Sequence, residues 1–377
     1  MMAVVENFAG LPHAWFPKIG AGGHTFDVLV VRGTFDLGLN GACPTRALQQ
    51  EPVVDGDQYD VPRGDDVVRS MLVQPGDRVL YKPQTDVFVT GRAHAPDGRP
   101  ASNWLAGIRI ADHEVSLRLH GPRRFIKRWF GWRVTGATPV PEVPLSYEQA
   151  FGGGYAIPVD KSDVVARLYK PDNPVGCGWL PDEKALDALP SDQRKVMAAA
   201  VAGVRDLPAP QIEDPAVPLS SPFQRAAPCG FGPLAPWWPP RVNRQGTLDD
   251  TWLATRCPAV PEDFDAAYYQ AAHPRLTVPY HLHGTEQLRL TNLLPDSLYV
   301  SELPGWAVVA VATYADGSSD VSFPIIDTVG IDLDKRRLSL VWRNCFDRLN
   351  PVRSLVIGAT NQSASRVAEC VPAEEVA

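Results

Sequence analysis

Hydrophobic residues gather in short stretches toward both ends of the chain, and their spacing favours strands over helices. Residues 26–37 are dense in branched and aromatic side chains, the composition of a strand with at least one buried face. Three pairs of such stretches are separated by turn residues and predict hairpins. Residues 107–110 and 115–120 flank Ala111-Asp112-His113, residues 307–314 and 319–323 flank Asp316-Gly317, and residues 329–332 and 338–343 meet across Asp334-Lys335. Helical spacing is confined to the middle. Ser191 can cap a helix over 192–204 whose Val196, Ala199, Ala200 and Val204 share a face, with Pro208 and Pro210 as the stop. A shorter helix over 264–272 ends before His273-Pro274. The pattern predicts a mainly β protein with minor α content: two β-sheet lobes, residues 1–154 and 245–358, joined by a Pro-rich, partly helical middle segment, 155–244. Residues 359–377, small and polar, read as a frayed tail.

Composition sharpens this picture at one point. The 377 residues include 37 prolines and 30 glycines, and proline fits neither helix interiors nor central strands. Ten of the prolines fall in 208–244, beside Trp237 and Trp238. That stretch is too aromatic for a flexible linker and reads as an ordered, extended connection lying on a surface.

The formal net charge of −7 is the wrong sign for a general binder of phosphate backbones, so no nucleic-acid partner is expected. Residues 123–129 are the local exception, mixing four basic residues with Phe125 and Trp129. Their alternation suits a strand with a solvated basic face; contact with RNA or a membrane is the other reading. The longest apolar run, 306–314, is far short of the roughly 20 residues of a membrane span, and no basic start precedes an apolar stretch as in a signal peptide. Six scattered cysteines form neither a disulfide framework nor a zinc knuckle, and a reducing cytoplasm is the expected location.

Nucleophile-elbow, phosphate-loop and zincin motifs are absent from the sequence. The strongest metal candidate is His281-x-His283 with Glu286 and His273 nearby, because alternate residues of a strand point to one face. Against it, an exposed strand tolerates two histidines without a ligand, and zinc sites take three or four protein ligands. The residues call for no cofactor and name no catalytic group.

A series of glycine-, proline- and aromatic-rich islands resembles one bacterial family. It comprises Asn7 with Leu11-Pro12-His13, then residues 30–37, Lys82-Pro83-Gln84-Thr85-Asp86-Val87 with 91–96, and 144–153. Residues 172–176, 210–215, 228–238 and 264–272 continue the series. In order from about Asn7 to Arg343, these are similar to domain-of-unknown-function family 2169. The resemblance implies a cytoplasmic accessory protein of the type VI secretion system: a non-enzymatic adaptor or chaperone that binds a toxic effector, or a spike-tip protein, and assists loading onto the spike complex. It carries over no catalytic residues.

An adaptor needs rigid anchors, and residues 229–241 supply candidates. Pro233, Pro236, Pro239 and Pro240 lack N–H groups and pre-stiffen the segment, so Phe231, Trp237, Trp238 and Arg241 are the expected partner-binding residues. The competing reading makes the aromatics internal packing between the lobes. A second functional reading is a metal-dependent or histidine-based enzyme acting on an effector or envelope glycan, with His281, His283 and Glu286 as working groups.

Overall fold

The computed structural model describes residues 3–39, 41–60, 67–158 and 164–361. In chain order the principal strands are β1 (Val4–Asn7), β2 (His13–Ile19), β3 (Thr25–Asp36), β4 (Thr85–Thr90), β5 (Asn103–Ile110), β6 (His113–His120), β7 (Arg123–Arg128), β8 (Gly131–Val134) and β9 (Asp206–Ala209). There follow β10 (Ile212–Glu213), β11 (Thr277–Val278), β12 (Gln287–Thr291), β13 (Leu298–Glu302), β14 (Trp306–Tyr314), β15 (Ser319–Ser322), β16 (Ile325–Asp332), β17 (Arg337–Asp347) and β18 (Val352–Asn361). The protein is mainly β with minor helix, as the hydrophobic pattern predicts. All three expected hairpins are present: β5–β6, β14–β15 and β16–β17.

The strands do not sort by position in the chain. The largest sheet runs β2-β3-β17-β16-β4-β11, with Thr45–Arg46 added on β3. It joins strands from 1–154 directly to strands from 245–358, and β16 lies parallel to β4 with Thr328 opposite Asp86. A second sheet, β10-β6-β5-β12-β13, and a third, β1-β18-β14-β15, cross the same division. One hydrophobic core accordingly runs from Ala9 to Ile357, so the two strand-rich ends share a core rather than forming separate lobes. β3 and β17 lie inside the largest sheet with Val28 to Val31 and Leu340 to Trp342 buried, the continuous apolar run of a strand covered on both faces.

A buried ionic joint locks this arrangement. Lys82 Nζ donates to Asp86 Oδ2 at 2.7 Å and to Thr328 Oγ1 at 2.8 Å, while Asp86 also accepts from the Ala271 N–H and Gln270 Nε2. Arg343 pairs with Asp327 and donates from Nη1 to the carbonyls of Asp77 and Val79, and Arg32 pairs with Asp77 at 3.1 Å. Pairing offsets the cost of burying these charges: Lys82, Asp86 and Arg343 have further hydrogen bonds, and Arg32 has a second carboxylate, Glu51, at 3.5 Å.

The middle departs from expectation in three ways. The helix spans Ser191–Gly203 with Pro190 at its cap position and no side-chain cap. Its buried residues are Met197 and Val201, which join Leu180 and Leu186 in one hydrophobic cluster, whereas Val196 and Ala199 are exposed. Residues 264–272 form only a short 3-10 turn, Ala266–Tyr269, since Phe264, Tyr268 and Tyr269 pack ring against ring. The Pro-rich stretch 208–244 lies on the surface only in part: Ala209, Ile212, Phe231, Leu234, Ala235 and Trp238 are buried along it, while 216–218 are exposed. Of the expected tail, Ala359–Asn361 belongs to β18 and 362–377 lies outside the described residues.

Candidate partner-binding groove

The expected anchors resolve first. Phe231 and Trp238 are fully buried in the main core, and Trp238 meets Tyr147 edge to face with ring centroids 5.2 Å apart. Arg241 is buried as well. Its Nη1 donates to the Leu234 carbonyl at 2.9 Å, its Nε to that of Tyr268 at 3.1 Å, and its guanidinium sits over the Tyr268 ring. Trp237 is half-buried and stacks on Tyr59 at 5.2 Å. These residues are internal packing: proline removes backbone donors that a loop would otherwise have to satisfy, and so allows this segment to enter the core. Phe231, Trp238 and Arg241 are thus buried in this structure, on the side of the packing alternative.

The histidines lie elsewhere and do different work. His281 Nε2 lies 3.0 Å from the Lys82 carbonyl, so that nitrogen carries the proton. Glu286 is spent locally, its two carboxylate oxygens accepting from the N–H groups of His283 at 2.5 Å and Gly284 at 2.8 Å. His273 accepts from the Arg275 N–H through Nδ1 and meets the Pro228 carbonyl through Nε2; burial holds its pKa below the ordinary value. Among the described residues, no three His, Cys, Asp or Glu side chains come together as potential metal ligands. Burial pushes the Cys177 and Cys229 thiols up to about 12 and that of Cys345 up to about 11, which keeps them protonated and poorly nucleophilic near neutral pH.

What His281 and His283 do border is a groove of about 490 Å³, whose walls include Leu282, Phe323, Ile325 and Trp342. Its floor forms because Leu282 bridges to Ile326 and because Gly284, at φ +94°, closes the turn against Ile326; a Cβ there would lie 3.1 Å from the Ile326 Cδ1 and from the Trp306 carbonyl oxygen.

One wall, Phe323 to Ile326, directly follows a strand edge. Among the described residues β15 pairs with β14 on one side only and ends the order β1-β18-β14-β15. Beyond it Pro324, which has no N–H to place in a ladder, sits where the chain passes into β16 and the largest sheet. Val321, Phe323 and Ile325 alternate along this extended segment and are 55%, 69% and 39% exposed, an apolar stripe facing solvent. The edge is held from behind by Asn344 Nδ2, which donates to Ser322 Oγ at 2.7 Å, and by Ser322 Oγ, which reaches the Ala310 carbonyl. Natural edges are commonly blunted with charge or covered; this one carries Asp320 but leaves the apolar stripe open.

Sequence reading missed this site because it took residues 319–323 only as one arm of a hairpin. The available signal was the alternation Val321, Phe323, Ile325 across a proline.

No curated protein and no solved structure matches the chain. A family match covers residues 23–343, most of its length and most of the span over which the sequence islands resemble that family. The chain belongs to the family described as "Uncharacterized protein conserved in bacteria (DUF2169)".

Proposed function

We propose that this protein is a non-enzymatic adaptor or chaperone of the type VI secretion system, which holds an extended segment of a toxic effector along β15 and assists its loading onto the spike complex. The observation that carries the reading is the unpaired edge of β15 with its exposed apolar stripe beside the groove. Such an edge supplies main-chain hydrogen bonds to an added strand, while alternate side chains of that strand enter the groove and give selectivity. The histidines then serve as its rim, in reach of polar groups on the bound segment.

Co-purification of tagged protein from the native host, combined with deletion of the gene, tests the reading. Recovery of a neighbouring toxin or spike-tip protein, with loss of effector secretion on deletion, is the expected result. Recovery of neither, together with normal secretion in the deletion strain, removes it.

A further inference from the structure

The basic stretch that stood apart in the sequence folds into a hairpin with an apolar tip. β7 and β8 pair from Phe125 opposite Val134 to Arg128 opposite Gly131, leaving Trp129 and Phe130 as the turn. Gly131, at φ +122°, lets a tight turn join the twisted pair. Turn centres normally take Asn, Asp, Gly or Ser, which satisfy the local backbone. Here both positions are large aromatics, 95% and 58% exposed, with their rings edge to face at 5.4 Å. A single exposed hydrophobe needs no explanation. Two adjacent aromatics at an apex, where neither contributes to the core, do.

The surroundings specify what the tip faces. Arg124, Arg128, Arg133 and Arg205 are exposed and Lys127 is half-buried, whereas Asp206, paired with Arg124, is the one carboxylate in residues 123–134 and 205–209. Arg133 lies over the Phe130 ring at 5.7 Å. This cationic collar belongs to a chain of formal charge −7. The base is firm: Phe125 is fully buried with Phe151 and Ala209, and Arg123 donates to Glu213 at 2.7 Å. A convex aromatic tip backed by cations fits a bilayer surface, where aromatic rings settle at headgroup level, cations meet anionic lipid, and no shape-matched pocket is required.

We propose that the Trp129–Phe130 hairpin is a membrane-contact element that docks the protein peripherally on anionic bilayers, with both rings inserted at the interface and Arg128 and Arg133 on lipid headgroups. None of these residues borders the β15 groove, so the proposal stands apart from the adaptor reading. The negative charge of the rest of the molecule is repelled by the same surface and leaves this end as the docking face.

Full-length protein is sedimented with phosphatidylcholine vesicles, with and without phosphatidylglycerol, at low and high salt. The expected result is binding to the anionic vesicles alone, weakened by salt. Charge removal at Arg128 or Arg133 should lower partition about fivefold per residue. The Trp129→Ser, Phe130→Ser double variant should lower it about tenfold or more at an unchanged melting temperature. Brominated lipid should quench tryptophan emission in the wild type, and Trp129→Phe should abolish that quenching. Absence of binding at low salt overturns the proposal, as does quenching that persists in Trp129→Phe. Binding that survives the double serine variant identifies a purely electrostatic surface, whose partner is an acidic protein or nucleic acid, and overturns it equally.

Discussion

Two aromatic dipeptides of similar composition have opposite fates. Trp237-Trp238 lies among prolines and is drawn inward, Trp238 to full burial against Tyr147 and Trp237 to a half-buried stack on Tyr59. Trp129-Phe130 lies among cations on a two-residue turn and stays in solvent. What separates them is the disposal of neighbouring polar groups. Prolines at 233, 236, 239 and 240 bring no N–H into the core, and Arg241 satisfies the Leu234 carbonyl of that segment and the Tyr268 carbonyl packed beside it. Burying the 129–130 turn would instead drag Arg128 and Arg133 out of water with no partner to receive them. Side-chain type locates candidate anchors, and the solvation of their neighbours decides which of them face outward.

Substitution at the two dipeptides is the direct way to break this contrast. Trp238→Ala should destabilise the fold by about 3–5 kcal/mol, the usual cost of emptying a large buried aromatic site, and a chemical-denaturation shift below about 1 kcal/mol contradicts its assignment to the core.

The next effect concerns the base of the exposed hairpin. Burial alone would raise the Glu213 pKa, but bonds from His120, Arg123 and the Leu219 N–H outweigh it and bring the pKa down from 4.5 to about 2. A depressed carboxylate stabilises the fold fully above its unfolded value, and that contribution is lost as pH falls from 4.5 toward about 2. Glu213→Gln should therefore cost about 3 kcal/mol at neutral pH, with the gap to wild type closing on acidification across that window. A gap that stays constant between neutral pH and pH about 2 refutes the linkage.

Trp237→Ala should lie between the extremes at about 1–2 kcal/mol, since only part of its surface is removed from water. Trp129→Ala should change stability by no more than about 0.5 kcal/mol, and a larger loss in thermal melting means the tip is packed rather than presented.

How far the sequence reveals the fold follows from the reach of its signals. Hairpins were legible because β5–β6, β14–β15 and β16–β17 pair with neighbours in the chain, where turn residues and period-two alternation lie side by side. The parallel pairing of β16 with β4 joins residues some 240 positions apart, and nothing local encodes it. Lys82 and Asp86 were visible as parts of an island shared with a family, yet their partner Thr328 was not. The same islands include Phe231, Trp238 and Gln270, all buried, so the resemblance tracked the core more closely than any surface. Trp129 stood out within a basic run, but its exposure depended on where β7 ends. Phe323 was hidden by its role as the last residue of an apparent hairpin arm, and its exposure follows from the change of sheet at Pro324.

The central claim is that a partner adds a strand to β15, and amide hydrogen exchange on the full chain with and without its co-purified effector tests it most directly. Pairing should slow exchange in Ser319 to Ile325, where every residue but Pro324 has an amide hydrogen, leave the amides of β7 and β8 unchanged, and be lost in Phe323→Asp along with binding. An effector that binds while exchange in Ser319 to Ile325 stays unaltered would contradict the account.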